Sequence, residues 1–400
     1  MSLAYEGVRI LDFTQLLSGP VATQQFALLG AEVIKVERPG VGDQFANTMH
    51  TEPSRQSGRS FPFQGANLGK RSLTLDLKRK EAVEIILTLA KRCDALVENF
   101  AAGVIGRLGL DYESVRKVNP NIVYCSVSGY GQKGPKAGVA AYDGAIQAAS
   151  GMMAATGDPR TGPVRASYMP VDISTALLTS FALASGLYRK LRTGEGQYID
   201  VAMMDTAVLL QMPQMMNYLN AGVVPQLSGN RAATGSPTAD AFATKDGHVM
   251  IVTIEERHVE ALLAVLGLSE LHADPKYRDE TARRANEQTL RPLLDRAFAA
   301  DTTASWCARL SQAGVACAAV SQLPDVAAQE QFNHRSLFAP IAMAGTSDTQ
   351  IKTVVTGYTM ASDGPRPRPA PALGEHSEAI LAEAGYTTAD IARFRKEALI

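Results

Sequence analysis

VRILDFTQLLSGPVATQQFALLGAEVIKVERPG, residues 8–40, is the stretch on which the fold reading turns. Val8–Phe13 is a short apolar run, Gly19–Leu29 has helical spacing, and Ala31–Val36 is a second short run with β-branched residues. Strand, helix and strand in about thirty residues make a parallel crossover unit. The connecting turn, Thr14-Gln15-Leu16-Leu17-Ser18-Gly19-Pro20, has no GxGxxG. A backbone that approaches a pyrophosphate closely needs those glycines, so ordinary dinucleotide binding is not expected, and Gly19-Pro20 reads as a plain helix start.

Outward from this unit the alternation continues. Leu73–Leu77, Ala95–Val97 and Ile122–Val127 read as further buried strands, and Glu81–Arg92 as an amphipathic helix. Repeated units of this length predict an α/β fold with a doubly wound, Rossmann-like parallel sheet covered on both faces. Past residue 140 come the small-residue helices Ala141–Met153 and Ile173–Leu191, a turn at Arg192–Gln197, the strand Tyr198–Ala202 and a Met-rich helix to about Leu219. Gly222–Pro237 is rich in Gly, Pro, Ser and Asn and marks a boundary. Beyond it, Ala241–Thr244 and His248–Thr253 flank the hairpin signal Lys245-Asp246-Gly247, with helical patterns at 255–266, 280–299 and 303–313. A smaller α+β domain over 222–330 is expected. Asp363–Pro371 alternates Pro with Arg and Ala as an extended strap, before the helices Ser377–Ala384 and Thr388–Ala398.

The bulk numbers exclude more than they assert. Four hundred residues suffice for two domains, and a net charge of −1 gives no field for nucleic acid or an anionic membrane. The four cysteines and six histidines are scattered without ligand spacing, so neither a metal site nor a disulfide framework is expected. The N-terminal residues show no secretory pattern, and the expectation is a cytoplasmic protein.

Among candidate site residues, Asp172 stands out in Tyr168-Met169-Pro170-Val171-Asp172, at the start of a long apolar helix. Asp is a favoured N-cap, which is the structural reading. A carboxylate beside free helix N–H groups is also a candidate nucleophile toward an activated acyl group, with the amides available to an oxyanion. Arg38, Lys70-Arg71 and Asn99-Phe100 adjoin strand ends, where open α/β sheets bind ligands. Each taken alone reads as surface charge or core packing sooner than as a ligand contact. Ser128-Gly129-Tyr130-Gly131-Gln132 is either a turn or an amide cradle, and Asp143 a helix-start residue.

Taken in order, these blocks resemble the class III CoA-transferases. The resemblance is carried by Val8–Gln15, Leu29–Gly40, Gly69–Lys78, Val97–Phe100, Arg192–Gln197 and Leu373–His376, and it runs nearly end to end. It implies Asp172 as the nucleophile. It implies a CoA site with Arg38 near the adenine, joined by Leu75, Asn99, Phe100, Arg107 and Tyr142, and acyl-CoA as substrate with no tightly bound cofactor. It further implies an interlocked homodimer whose large domain is built from both chain ends, 1–221 and the returning 331–400. For the acid itself Gln15, Arg165, His50 and Arg55 are candidates, with Arg59 nearby, and a small dicarboxylate is the expected acceptor. Leu17, Ala140 and Gly235-Ser236-Pro237 depart from the oxalate enzyme of that family, which argues against oxalate. The related racemases carry His-Asp where this chain has Tyr142-Asp143, and Tyr, with a pKa of about 10 against about 6.5, is a poor α-proton base. A racemase or epimerase, or a non-catalytic CoA-binding protein, are the alternative readings.

Overall fold

The structure, a computed structural model, describes residues 3–232, 234–346 and 349–400. The chain divides into two compact units: Met1–Ser150 with Ala166–Met216 and Glu330–Ile400, and Gly151–Arg165 with Asn217–Gln329. The expected boundary at 222 thus falls near 217, and Gly151–Arg165 groups with the second unit, a separation that the helical pattern at 141–153 conceals.

The first unit is built on six parallel strands: β1 (Arg9–Asp12), β2 (Glu32–Glu37), β3 (Arg71–Thr74), β4 (Ala95–Glu98), β5 (Val123–Ser128) and β6 (Gln197–Ala202). Their spatial order is β3-β2-β1-β4-β5-β6, so the winding reverses between β1 and β4. Side chains alternate across the sheet, as the two-residue period of a strand requires. Leu11, Ile34, Leu73, Leu96 and Tyr124 enter one core; Ile10, Val33, Ala95, Val123 and Cys125 enter the other. Helix α1 (Ser18–Leu28) follows β1, and α2 (Lys80–Ala90) packs Ile85, Ile86 and Leu89 into the first core. Gly19 allows α1 to begin against the turn, because a Cβ there would lie 2.4 Å from the Thr14 Cβ.

The C-terminal segment completes this unit. In the strap, the Arg366 amide donates to the Leu28 carbonyl and the Gly69 amide to the Arg368 carbonyl. The Thr74 amide of β3 donates to Ser377 Oγ. Ile380, Leu381, Ile391, Phe394 and Leu399 fill the first core. The sequence pattern missed the antiparallel pair Phe338–Ala342 and Gln350–Val354. The predicted helix Ala141–Met153 is interrupted, because Gly151 takes φ 89° between Asp143–Ala149 and Met152–Ala155.

In the second unit the strand His248–Val252 lies between Ala241–Ala243 and Ala316–Ala319 in an antiparallel sheet. Its core holds Phe242, Leu262, Leu294, Phe298 and Trp306, with the Phe242 and Phe298 rings stacked at 4.6 Å.

Candidate active site

Helix α3 (Asp143–Ala149) and the 24-residue α4 (Pro170–Thr193) together set the position of Asp172. Proline suits the first turn because its missing N–H would find no partner there. Met169 precedes it in a left-handed conformation, φ 56° and ψ 54°, and gives no side-chain cap. Asp172 therefore lies inside the first turn and is not the cap. The cap comes from another helix: Asp143 Oδ2 accepts the Val171 amide at 2.9 Å and the Asp172 amide at 3.2 Å. Gln147 Nε2 donates to Asp143 Oδ1 at 2.5 Å. The same Gln147 side chain bonds Ala166 through both its amide and its carbonyl, at 2.9 Å each. A buried Asp–Gln pair thus fixes the segment that delivers Asp172.

Burial, and after it the negative charge of Asp143, push the Asp172 carboxyl up to about 6. The sequence had favoured an easily ionised group. The structure instead gives a more basic carboxylate, still largely charged at neutral pH, and a stronger nucleophile for it. Replacing Asp143 by Asn removes the like charge but not the burial. The acid limb of kcat, expected near pH 6 in the native enzyme, should then move part of the way toward 4. An unmoved limb would show that Asp143 does not act on Asp172.

Asp172 borders a cavity of about 250 Å³ formed by Asn99–Ala102, Ser128–Gly131, Gly138–Tyr142, Leu16 and Met203. These loops follow β4 and β5 at the carboxyl edge of the sheet, where the change of winding opens a crevice. The glycine loop read from the sequence is therefore part of the site. At Gly129 a Cβ would sit 2.2 Å from the Ala141 Cβ, so the two loops meet through the missing side chain. Gly129→Ala should force them apart, costing about 1–3 kcal/mol of stability and at least about tenfold in kcat/KM. Thermal unfolding and steady-state rates check this.

Beneath the cavity lies a buried ionic lattice that sequence reading missed. Lys70 Nζ, one of the strand-end cations noted in the sequence, donates to Asp12 Oδ2 at 2.8 Å, to the Pro20 carbonyl and to Asn67 Oδ1. Lys35 Nζ lies 2.9 Å from Asp43 Oδ2 and donates to the Thr14 carbonyl at 2.8 Å. Asp43 Oδ1 in turn accepts the Leu16 amide at 3.0 Å, which holds Leu16 at φ 66° on the cavity floor. Burial brings the Lys70 ammonium down to about 8 despite Asp12 beside it. For Asp12 burial acts in the opposite sense, but Lys70 and Lys35 outweigh it and hold the carboxyl below its ordinary range.

The remaining sequence candidates divide. Asn99, Phe100 and Tyr142 line the cavity with Asp172. The Asn99 amide is already engaged: it accepts the Gln15 N–H and donates to the Gln15 carbonyl, both at 2.8 Å. Asn99 and Gln15 are thus a clasp between two loops. The Leu75 side chain is in the core and its amide donates to the Glu37 carbonyl. Arg38 and Arg107 are exposed and do not line the cavity. His50 Nδ1 sits 3.2 Å from Ser54 Oγ, and Arg55 pairs with Glu52. Arg59 is buried against Glu37, and Arg71 pairs with Glu32 and Glu383. Arg165 is exposed and belongs to the second unit. Among the described residues, no Lys, Arg or His lines the cavity.

Comparison with known proteins gives this geometry its context. Residues 5–377 match the model of CoA-transferase family III. The chain is 35% identical over 381 residues to succinyl-CoA:glutarate CoA-transferase of Mus musculus, covering 94% of this chain and 86% of that protein. It is 34% identical to acetyl-CoA:oxalate CoA-transferase of Acetobacter aceti, covering 95% of each. The crystal structure of a CAIB/BAIF family protein from Brucella suis superposes with a TM-score of 0.84 at 31% identity, over 96% of this chain and 100% of that one. The family match along almost the whole length agrees with the sheet order and with a carboxylate at the mouth of an α/β crevice, and the chain belongs to CoA-transferase family III.

Proposed function

We propose that this CoA-transferase moves CoA from an acyl-CoA donor to a small dicarboxylic acid, with Asp172 as the covalent relay. An Asp172 oxygen attacks the thioester carbonyl, the C–S bond breaks, and CoA leaves as thiolate, giving an acyl–aspartyl anhydride. The thiolate attacks the aspartyl carbonyl and releases the donor acid, leaving an aspartyl-CoA thioester. The acceptor carboxylate attacks that thioester and expels thiolate again. The thiolate then takes the acceptor acyl group from the second anhydride and returns Asp172 to its carboxylate. Each step exchanges one acyl bond for another, so protons and electrons balance without a further reagent.

The observation that carries this reading is the half-buried Asp172 carboxylate on the cavity wall, its backbone amide bonded to Asp143 and its carboxyl raised to about 6. The cavity lining mixes Leu16, Phe100, Val127 and Met203 with Ser18, Asn99 and Ser128, and its apolar part would help to keep water from the anhydrides and the thioester. The dicarboxylate rests on the relatives named for succinyl-CoA, glutarate and oxalate. Because one of them is named for oxalate, the departures at Leu17 and Ala140 do not by themselves exclude that acid. With no cation among the described residues of the cavity lining, the far carboxylate would be met by loop amides and hydroxyls, or by a second copy of the chain. A homodimer, interlocked as the resemblance implies, is part of the proposal. Ile173, Leu177, Phe181, Tyr188 and Leu191 form an exposed apolar stripe on α4, a surface that a second copy would bury. Arg38 and Arg107, both exposed, would serve the CoA nucleotide.

The test is an acceptor screen read by mass spectrometry, with succinyl-CoA and acetyl-CoA as donors and C2 to C6 mono- and dicarboxylates as acceptors. New acyl-CoA should form with dicarboxylates preferred. Deuterium entering the acyl α-carbon without any exchange of acyl groups would instead establish a racemase.

A further inference from the structure

We infer that Glu98 is a positioning residue for the acyl-CoA cavity, acting with Asp200 to fasten two of the loops that line it. The inference rests on the reading of this cavity as the acyl-CoA site. Glu98, Ser126 and Asp200 are register partners on β4, β5 and β6, and so form one row on one face of the sheet. The preceding row on that face is Leu96, Tyr124 and Tyr198, so the polar row begins where the core gives way to the site. Glu98 is fully buried, and its Oε1 has no well-formed hydrogen-bond partner among the described residues. Such a carboxylate is costly, and its place calls for a reason.

The reason lies in what the two acids hold. Glu98 Oε2 accepts the Phe100 amide at 2.9 Å, and Asp200 Oδ2 accepts the Gln132 amide at 2.9 Å. Asn99–Ala102 is one wall of the cavity and Ser128–Gly131 another. Each wall is therefore tied to the sheet edge through a carboxylate in the same row. The titratable side chains on the face of Glu98 are Tyr124 of β5 and Asp200 and Tyr198 of β6, with Cys125 of β5 nearby on the opposite face. Burial holds Cys125 and both tyrosines in their neutral forms, which leaves Asp200 as the charge that acts on Glu98. Burial, with Asp200 adding to it, pushes Glu98 up to about 7 against the pull of Ser126 and the Phe100 amide. An ionised Glu98 makes a charge-assisted bond to Phe100, and a protonated one makes a weaker bond. The Phe100 wall should accordingly be firm above neutrality and looser below it.

The experiment compares the native enzyme with Glu98→Gln from pH 6 to pH 8.5, following KM for the acyl-CoA donor and kcat separately. At pH 8 the variant should show KM raised roughly five- to tenfold with kcat within about twofold. On going to pH 6 the native KM should rise toward that of the variant, so that the ratio of the two closes. The variant also serves as control for ionisation of the substrate itself. A general structural defect would lower kcat through lost active enzyme and leave KM alone. Equal KM values at every pH would overturn the inference. Should the Gln variant fail to fold, hydrogen exchange of the 98–102 segment in the native enzyme reads the same bond. Protection of the Phe100 amide, corrected for intrinsic rate, should fall on titration through 7, and constant protection would overturn the inference. Covalent trapping at Asp172 keeps the two levels apart. No adduct in the native enzyme refutes the reading of the cavity, whereas adducts in both proteins with identical KM profiles refute only the role of Glu98.

Discussion

Asp172→Asn is expected to lower CoA transfer by at least about 10³-fold while making the folded chain more stable at alkaline pH. The loss follows from chemistry: an amide oxygen is a poor nucleophile, and the substitution leaves the shape of the site almost unchanged. The gain follows from linkage. In the folded chain, burial and then Asp143 place the Asp172 carboxyl at about 6. In the unfolded chain it titrates near 4, so the folded state disfavours the ionised form. The penalty is absent below about pH 4, grows between about 4 and 6, and is complete above that. Asparagine carries no such penalty. With allowance for the partial exposure of this residue, the variant should exceed the native protein by about 1–3 kcal/mol at pH 8, and the difference should vanish by pH 4. Thermal unfolding at the two pH values measures it. A variant less stable at pH 8 would contradict the environment described for Asp172.

The second large effect is expected at Asp12. Its carboxylate is buried at the end of β1 and accepts the Thr14 amide at 2.8 Å, the Thr14 and Thr23 hydroxyls at 2.5 and 2.7 Å, and Lys70 Nζ at 2.8 Å. Asp12→Ala would leave Lys70 buried without its counter-charge and the Thr14 amide and hydroxyl without their acceptor, while the Thr23 hydroxyl would keep only the Pro20 and Gly19 carbonyls at 3.2 and 3.4 Å. Breaking one side of a buried pair costs about 3–5 kcal/mol, more than the pair itself contributes, because the surviving charge stays desolvated. Lys70, already at about 8, would shed its proton more readily, which limits the loss. Removing that charge as well should restore part of the stability. Asp12→Ala with Lys70→Met is therefore expected to be more stable than Asp12→Ala alone, and a double-mutant cycle in urea reads the coupling. Simple addition of the two single effects would show that the lattice does not act as a unit. The Thr14–Ser18 turn sits on this lattice, so activity should fall with stability in the single variant.

Much of this was legible in the chain. The strands of the large unit follow from short apolar runs separated by helical spacing, and β1, β2, β4, β5 and β6 lie where those runs predict them. Asp172 and the glycine loop were readable because Pro-Val-Asp and Ser-Gly-Tyr-Gly are local signals. The partners of these groups were not. Lys70 read as a strand-end cation and Lys35 was passed over within the second strand, because hydrophobic patterning assumes that charge faces water, whereas both are fully buried among acids. Asp143 read as a cap for its own helix, but its carboxylate reaches 28 residues along the chain to cap α4, and a helix start gives no sign of such a partner. Glu98 was hidden within a conventional strand ending. The sequence of α4 read as a long apolar helix, and its Leu177 and Phe181 are exposed in the single chain. Uniform hydrophobicity cannot tell a core face from a face that meets another molecule.

The central claim is that Asp172 carries the acyl group and then the CoA in turn. Its most direct test is mass spectrometry of the native enzyme after incubation with succinyl-CoA, quenched with hydroxylamine or borohydride and digested. A modified peptide spanning Pro170–Asp172 is expected, with the change on Asp172, dependent on acyl-CoA and absent from Asp172→Asn. An unmodified Asp172 in an enzyme that is turning over, or full transferase activity in Asp172→Asn, would contradict it.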